Sequence, residues 1–114
     1  MTAKTQRFSQ LSPARQALVR LCQAINHSSI ENLNVEQGEP VFDPPPILLK
    51  DVKLDSDEVP RPELALADFV LGDEALRLMT RLDQTGAGRI RRIEIRAGLA
   101  RRALFEATLT GALR

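Results

Sequence analysis

The chain has no tryptophan, no tyrosine, one cysteine, one histidine and no long apolar run. A single cysteine, Cys22, cannot form an internal disulfide, and no apolar run approaches the about 20 residues that a membrane-spanning helix requires. The first residues, MTAKTQRFSQ, lack the apolar core of a secretory signal. We therefore expect a cytoplasmic protein with no membrane contact.

The usual groups of catalysis are also missing. His27 has no second histidine to work with, and we interpret it as a solvated loop residue at a helix end. Cys22 lies on an apolar stripe, which favours a core thiol over a nucleophile. Asp55, Asp57 and Glu58 lack the spacing of a calcium loop. The sequence thus predicts no catalytic residue, no metal site and no cofactor, and a protein that is not an enzyme.

The chain does contain an internal repeat. Residues 18–40, LVRLCQAINHSSIENLNVEQGEP, resemble residues 76–100, LRLMTRLDQTGAGRIRRIEIRAGLA. The helical parts match at an offset of 57 and the later parts at 60, and the three extra residues fall within 84–88. Such a repeat constrains the architecture far more than it constrains the function. This one predicts two helix–strand–turn–strand units.

The first unit has clear start and stop signals. Ser12-Pro13 predicts a helix start, and the apolar stripe that follows ends near Asn26-His27. Ile30, Leu33 and Val35 are spaced three and then two apart, which indicates either a β-bulge or an entry residue before the strand. Gln37-Gly38 predicts a tight hairpin turn.

The segment between the units is rich in proline and acid. Residues 44–46 are three prolines that end the returning strand, and we interpret them as a rigid connector. Residues 47–54 are a further strand candidate, with Leu48, Val52 and Leu54 on one face. An acidic loop follows. A second helix is expected within 63–82, with a break at Gly72 and Asp73 as a cap.

The second unit repeats the features of the first. Gly86-Ala87-Gly88 follows a helix and precedes a strand, which is the reverse of the order in a phosphate loop, so it predicts a helix stop. Ile90, Ile93 and Ile95 show the same irregular spacing, and Ala97-Gly98 predicts the second hairpin. The composition of ARRALFEATL favours a helix, but its place after the hairpin glycine indicates a strand through about Glu106. We follow the repeat and predict a strand.

These elements predict an α+β fold. Four to five antiparallel strands form one sheet, and two helices cover one face of it. The expected organisation is a flexible arm at 1–11 and a single domain at 12–114. That domain consists of two repeats, at about 12–43 and 64–106, joined by the proline-rich strand and acidic loop of residues 44–63.

The helix–strand–glycine unit resembles the small uncharacterised YezD-type proteins. Residues 25–42, INHSSIENLNVEQGEPVF, carry the resemblance, with one extra residue between Ile30 and Val35, and LDQTGAGRIRRIEIRAGLA is similar with a longer loop. The resemblance covers about half of the chain. It implies a small protein that works as an oligomer or as a fused tandem, and it implies no activity.

Charge is distributed unevenly along the chain. Residues 1–30 have four basic groups and no acid, residues 31–74 have three basic and twelve acidic groups, and residues 75–114 have nine basic and three acidic groups. This asymmetry indicates a nucleic-acid face, an acidic partner, or complementarity between two halves of one fold or of a dimer. The candidate interaction surface consists of Arg89, Arg91, Arg92, Arg96, Arg101 and Arg102.

The sequence therefore supports a small non-enzymatic interaction or adaptor module that binds a protein partner or itself through its sheet face. The alternative is a nucleic-acid-binding protein that uses the arginine-rich β-hairpin from Arg89 to Arg102 to contact phosphates. The shortage of aromatic residues gives base stacking little support.

Overall fold

The computed structural model describes residues 6–57 and 59–106. Its elements are α1 (Pro13–Ile25), β1 (Ser28–Glu36), β2 (Glu39–Val41), β3 (Ile47–Lys50), α2 (Asp73–Thr85), β4 (Gly88–Arg96) and β5 (Leu99–Phe105). Short 3₁₀ turns lie at Phe8–Gln10 and Pro62–Ala65. Within the described residues, two helices and one five-stranded antiparallel sheet form an α+β fold, as the sequence predicts.

The sheet is built around the antiparallel pair β1 and β4. Their register runs from Ser28 opposite Ile95 to Val35 opposite Gly88. β5 pairs with the other edge of β4, while β2 and β3 pair in succession with the other edge of β1. The five strands therefore occupy four positions across the sheet, which we call lanes. β2 and β3 share the outermost lane beside β1, and the proline segment 44–46 separates them.

The irregular spacing of the aliphatic residues reflects β-bulges. Asn32 in β1 has a positive φ of 60°, and Arg91 is an extra residue of β4 relative to β5. A bulge adds one residue without turning the following side chains to the other face. All six aliphatic residues of the pattern are consequently buried on one face: Ile30, Leu33, Val35, Ile90, Ile93 and Ile95.

That face packs against both helices. The core includes Leu18, Cys22 and Ile25 of α1 and Leu78, Met79 and Leu82 of α2. Ser12 caps α1 as predicted, since its Oγ accepts a hydrogen bond from the Arg15 amide at 3.2 Å. Both helices lie on the same side of the sheet, so no helix among residues 6–57 and 59–106 covers the opposite side.

The core extends further toward the N-terminus than the sequence indicates. Phe8 and Leu11, which belong to the expected arm of residues 1–11, are buried in it. The Phe8 ring stacks on Phe69, and Arg20 lies over the Phe8 ring. Arg7 and the Ser9 amide hydrogen-bond to Asp68 and lower the pKa of that carboxyl to about 2. Residues 1–5 lie outside the described part of the chain.

The same contacts decide where the second helix begins. α2 starts at Asp73, after Gly72, and residues 62–65 form only a 3₁₀ turn. The Phe8 amide donates to the Phe69 carbonyl at 2.8 Å, and the Leu71 amide donates to the Gln6 carbonyl at 2.9 Å. Residues 69–71 are therefore extended beside the N-terminal segment and are not available to a helix. Gly72, not Asp73, is the N-cap.

Each hairpin turn docks on the helix end of the other half of the chain. The Gly38 amide donates to the Gly86 carbonyl at 2.7 Å, and the Gly98 amide donates to the Asn26 carbonyl at 3.0 Å. Asn26 and Gly86 end the two helices with closely similar backbone angles, φ 57°, ψ −74° and φ 65°, ψ −81°. The two halves thus share element order and contacts, while the sequence duplication stays a prediction.

The turns themselves are the predicted tight hairpins. Both central residues of each turn have positive φ, 52° and 74° at Gln37-Gly38 and 53° and 74° at Ala97-Gly98, as a type I′ turn requires. The second turn directs residues 99–105 back along β4, which confirms the strand prediction and excludes the helix that the composition favours. Glu106 continues the pairing, because its amide donates to the Arg89 carbonyl at 2.9 Å.

We predict that Gly86→Ala lowers the free energy of unfolding by about 1–2 kcal/mol, since a residue with a Cβ is strained at positive φ. Nothing lies within 4 Å of the added Cβ, so the loss would come from the backbone conformation alone. Urea unfolding followed by circular dichroism measures it. Gly72→Ser is the control, because φ is −79° there and serine is a good N-cap. An unchanged stability of Gly86→Ala would contradict the prediction.

Candidate interaction surface

The side of the sheet that faces away from the helices is the candidate surface, and we call it the outer face. Residues directly opposite each other in neighbouring strands point to the same side of a sheet. Ile30 opposite Ile93 points to the helices, so the next pair, Glu31 opposite Arg92, points outward. The outer face can therefore be traced from the strand registers.

One row of four residues crosses the whole outer face, and we call it the transverse row. Ile47 of β3 is opposite Glu31 of β1, Glu31 is opposite Arg92 of β4, and Arg92 is opposite Leu104 of β5. Ile47 and Leu104 are 49% and 47% exposed. Arg92 Nε lies 3.8 Å from Glu31 Oε2. The row thus has two charges of opposite sign at its centre and an exposed aliphatic residue at each end.

A second row runs beside the first. Leu49 of β3 is opposite Ser29, Ser29 is opposite Glu94, and Glu94 is opposite Arg102. Arg102 Nε lies 3.9 Å from Glu94 Oε2, and Leu49 is exposed while Ser29 is buried. The outer face is consequently charged in the middle and aliphatic along β3.

The structure brings most of the six candidate arginines together on or beside this face. Arg89 donates to Asn34 Oδ1 at 3.2 Å, and Arg91 pairs with Glu106 at 3.0 Å. Arg96 has no partner among the described residues. Arg101 is different, because it is the extra residue of a bulge in β5 and pairs with Glu74 of α2 at 2.9 Å. It therefore belongs to the helix side and not to the outer face.

The sequence pattern did not predict the exposed edge formed by β3. It placed Leu48, Val52 and Leu54 on one face of a longer strand, but the strand ends at Lys50, and all three residues are exposed. The signal was present, since Ile47, Leu48 and Leu49 are three consecutive aliphatic residues. A strand with only one buried face would alternate with polar residues. β3 instead presents aliphatic side chains on both faces.

The other candidate residues have structural roles. His27 is exposed, and its Nδ1 accepts a hydrogen bond from the Ala97 amide at 3.3 Å. Cys22 is buried, and desolvation raises the pKa of its thiol to about 12, which keeps it in the unreactive protonated form. Gly86 ends α2, as the helix stop predicts. Among the described residues, no group of three or more His, Cys, Asp and Glu side chains is arranged to hold a metal ion.

A cleft of about 260 Å³ lies between α1, α2 and the turn at Ala97-Gly98. Its walls are mostly aliphatic and include Cys22, and the ion pair of Arg61 and Glu63 also lines it. Arg61 also donates to Asn26 Oδ1 at 3.2 Å. The charged groups of the cleft, Arg61 and Glu63, are thus engaged with each other.

In the part of the chain that the structure describes, no helix has the length and apolar character to cross a membrane. Comparisons with protein-family models, with curated proteins and with solved structures give no match. The resemblance to the YezD-type proteins therefore stays a prediction.

We predict that the protein does not bind short labelled DNA or RNA at about 50 mM salt, because carboxylates already neutralise Arg91, Arg92, Arg101 and Arg102. Fluorescence anisotropy checks this. Salt-dependent binding would contradict the prediction and favour the arginine-hairpin alternative. In that case the logarithm of the binding constant should fall by about 0.9 per phosphate contact against the logarithm of the salt concentration. Arg96→Glu should also weaken the binding.

Proposed function

We propose that this protein is a non-enzymatic interaction module that binds a protein partner or a second copy of itself through the outer face. The observation that supports the proposal is the transverse row, in which exposed Ile47 and Leu104 flank the pair of Glu31 and Arg92. Protein interfaces combine an apolar contribution with charges that select the partner. An uncovered sheet face with this pattern fits a docking surface.

The exposed aliphatic residues supply the affinity in this proposal. Ile47 and Leu49 are 49% and 46% exposed and lie next to each other on the outer face of one edge strand. Contiguous exposed apolar residues bordered by charge are typical of interaction sites. Burying such side chains releases about 25 cal/mol per Å² of apolar area, whereas the exposed ion pairs contribute little to affinity by themselves.

The nucleic-acid alternative is favoured by a smaller set of side chains. Arg89 and Arg96 are exposed and have no carboxylate partner among the described residues. Two such guanidinium groups give few phosphate contacts, and affinity for nucleic acid rises with the number of contacts. The protein-binding proposal accounts for more of the surface.

The proposal includes a cytoplasmic location. The only thiol in the chain, Cys22, is buried and unpaired, which fits a reducing compartment because small domains in oxidising compartments commonly depend on disulfides.

Site-specific photo-crosslinking in the expressing cells tests the proposal. We predict that a photoreactive benzoylphenylalanine in place of Leu49 forms a discrete covalent adduct on irradiation, because Leu49 lies on the outer face. The same residue in place of Arg77, which is exposed on α2, is the control and should form none. The absence of an adduct at Leu49, or equal adducts at both positions, would contradict the proposed surface.

A further inference from the structure

We propose that the occupant of the outer face is a second copy of this chain, stacked face to face on the first. The two copies are related by a twofold axis that lies between the two sheets. This axis runs parallel to β1 and β4, above the line midway between these strands. This inference rests on the proposed function and names its partner. It follows from the order of residues in the transverse row.

The transverse row is complementary to itself when it is turned around. From β3 to β5 its order is Ile47, Glu31, Arg92, Leu104, or aliphatic, acidic, basic, aliphatic. A twofold rotation about the proposed axis reverses the order of lanes and turns the face over. Glu31 then lies opposite Arg92 of the partner copy, and Ile47 lies opposite Leu104 of the partner copy. Every residue of the row meets a residue of complementary chemistry.

Two stacked sheets could also be related by a twofold axis that runs along the transverse row, perpendicular to the strands. The charges exclude this second axis. An axis along the row would place each lane over the same lane of the partner, so Glu31 would face Glu31 and Arg92 would face Arg92. Like charges brought together in an interface cost several kcal/mol. The alternation of sign across β1 and β4 therefore selects the axis parallel to the strands. Aligned sheet packing has about 30° between strand directions, which tilts the axis by about half that angle from the strands and keeps the residues nearest to it close to register.

The four charges at the centre form an alternating ring in this arrangement. Glu31 and Arg92 are 3.8 Å apart within one copy, and each would gain a second opposite neighbour from the other copy. Removing charges from water offsets much of that gain. The ring consequently sets the register of the two copies, while the aliphatic ends of the row contribute the favourable burial.

The second row is compatible with the same axis. Its order is Leu49, Ser29, Glu94, Arg102. The rotation brings Leu49 over Arg102 of the partner copy, whose aliphatic stem can cover an apolar side chain while its guanidinium group reaches solvent. It also brings Glu94 of the partner copy over Ser29, which is uncharged and buried. No like-charge contact arises.

Complementary charge reversals test this arrangement. Arg92→Glu makes both central charges of the row acidic, and Glu31→Arg makes both basic. We expect either variant alone to associate at least about tenfold more weakly than the unmodified chain, because the partner copy then presents like charges. An equimolar mixture of the two variants should form a one-to-one dimer of near-normal affinity, since each basic row meets an acidic one. Sedimentation velocity of the variants alone and mixed measures this.

The double variant, Glu31→Arg with Arg92→Glu, separates self-association from binding to another protein. It exchanges the two charges and keeps the row self-complementary, so we expect it to dimerise like the unmodified chain. A different partner would keep its own charges and would bind the double variant poorly. Arg77→Glu and Asp73→Arg, which make the same charge changes on α2, are controls that should not alter association.

Three outcomes would overturn the inference. A monomeric unmodified chain at all accessible concentrations would exclude the second copy, while an adduct with another protein at Leu49 would still support the proposed function. A dimer that both single variants leave intact would place self-association elsewhere, such as the edge of β3 that pairs with no described strand. Association that the mixture fails to restore would show that the two charges do not face each other. Circular dichroism of each variant confirms that the fold is retained.

Discussion

The antiparallel pairing of β1 with β4 is the interaction on which the rest of the structure depends. It joins the two halves of the chain along strands of nine residues each, and it aligns six aliphatic side chains on one face. The reciprocal bonds from Gly38 to Gly86 and from Gly98 to Asn26 can form only when this register is correct. Arg15 adds to one of them, donating to the Gly38 carbonyl at 3.0 Å and to Asp83 at 2.5 Å.

The same pairing determines what the surface presents. Because both helices pack on the aliphatic side, the outward residues of β1 and β4 form the centre of the uncovered side. β1 comes from the acidic part of the chain and β4 from the basic part, so their outward charges pair across the sheet. The uneven charge along the sequence is thereby largely balanced within one copy, which reduces the capacity of the arginines to bind phosphates. The charge complementarity that remains is between the transverse row of one copy and the transverse row of a second copy.

Local patterns predicted much of the fold. The apolar stripe of α1, the hairpin glycines and the strand at residues 99–105 all follow from features close in sequence. The spacing of Ile30, Leu33 and Val35 indicated an irregularity, but choosing a bulge over an entry residue required the partner strand. The break at Gly72 was predicted, but the absence of an α-helix from residues 63–71 was not, because the contacts of Phe8 with Phe69 decide it and these residues are distant in sequence.

The candidate surface was predicted only in part. The exposed arginines of β4 follow from alternation with buried isoleucines. The separation of Arg101 from the others follows from a bulge in β5 and from Glu74 on a helix, which no local pattern indicates. The transverse row was also beyond prediction, since it requires the registers of β3, β1, β4 and β5 together. The consecutive aliphatic residues of β3 were visible in the sequence, but their exposure depends on the position of β3 beside β1 at the margin of the described sheet.

An isotope-filtered NOE experiment on an equimolar mixture of labelled and unlabelled protein tests the face-to-face dimer without any substitution. Within one copy, Ile47 and Leu104 lie three lanes apart, about 14 Å at the spacing of neighbouring strands, which is too far for an NOE between their methyl groups. The face-to-face dimer predicts an NOE between Ile47 of one copy and Leu104 of the other. Intermolecular NOEs confined to β3, or the absence of any, would contradict it.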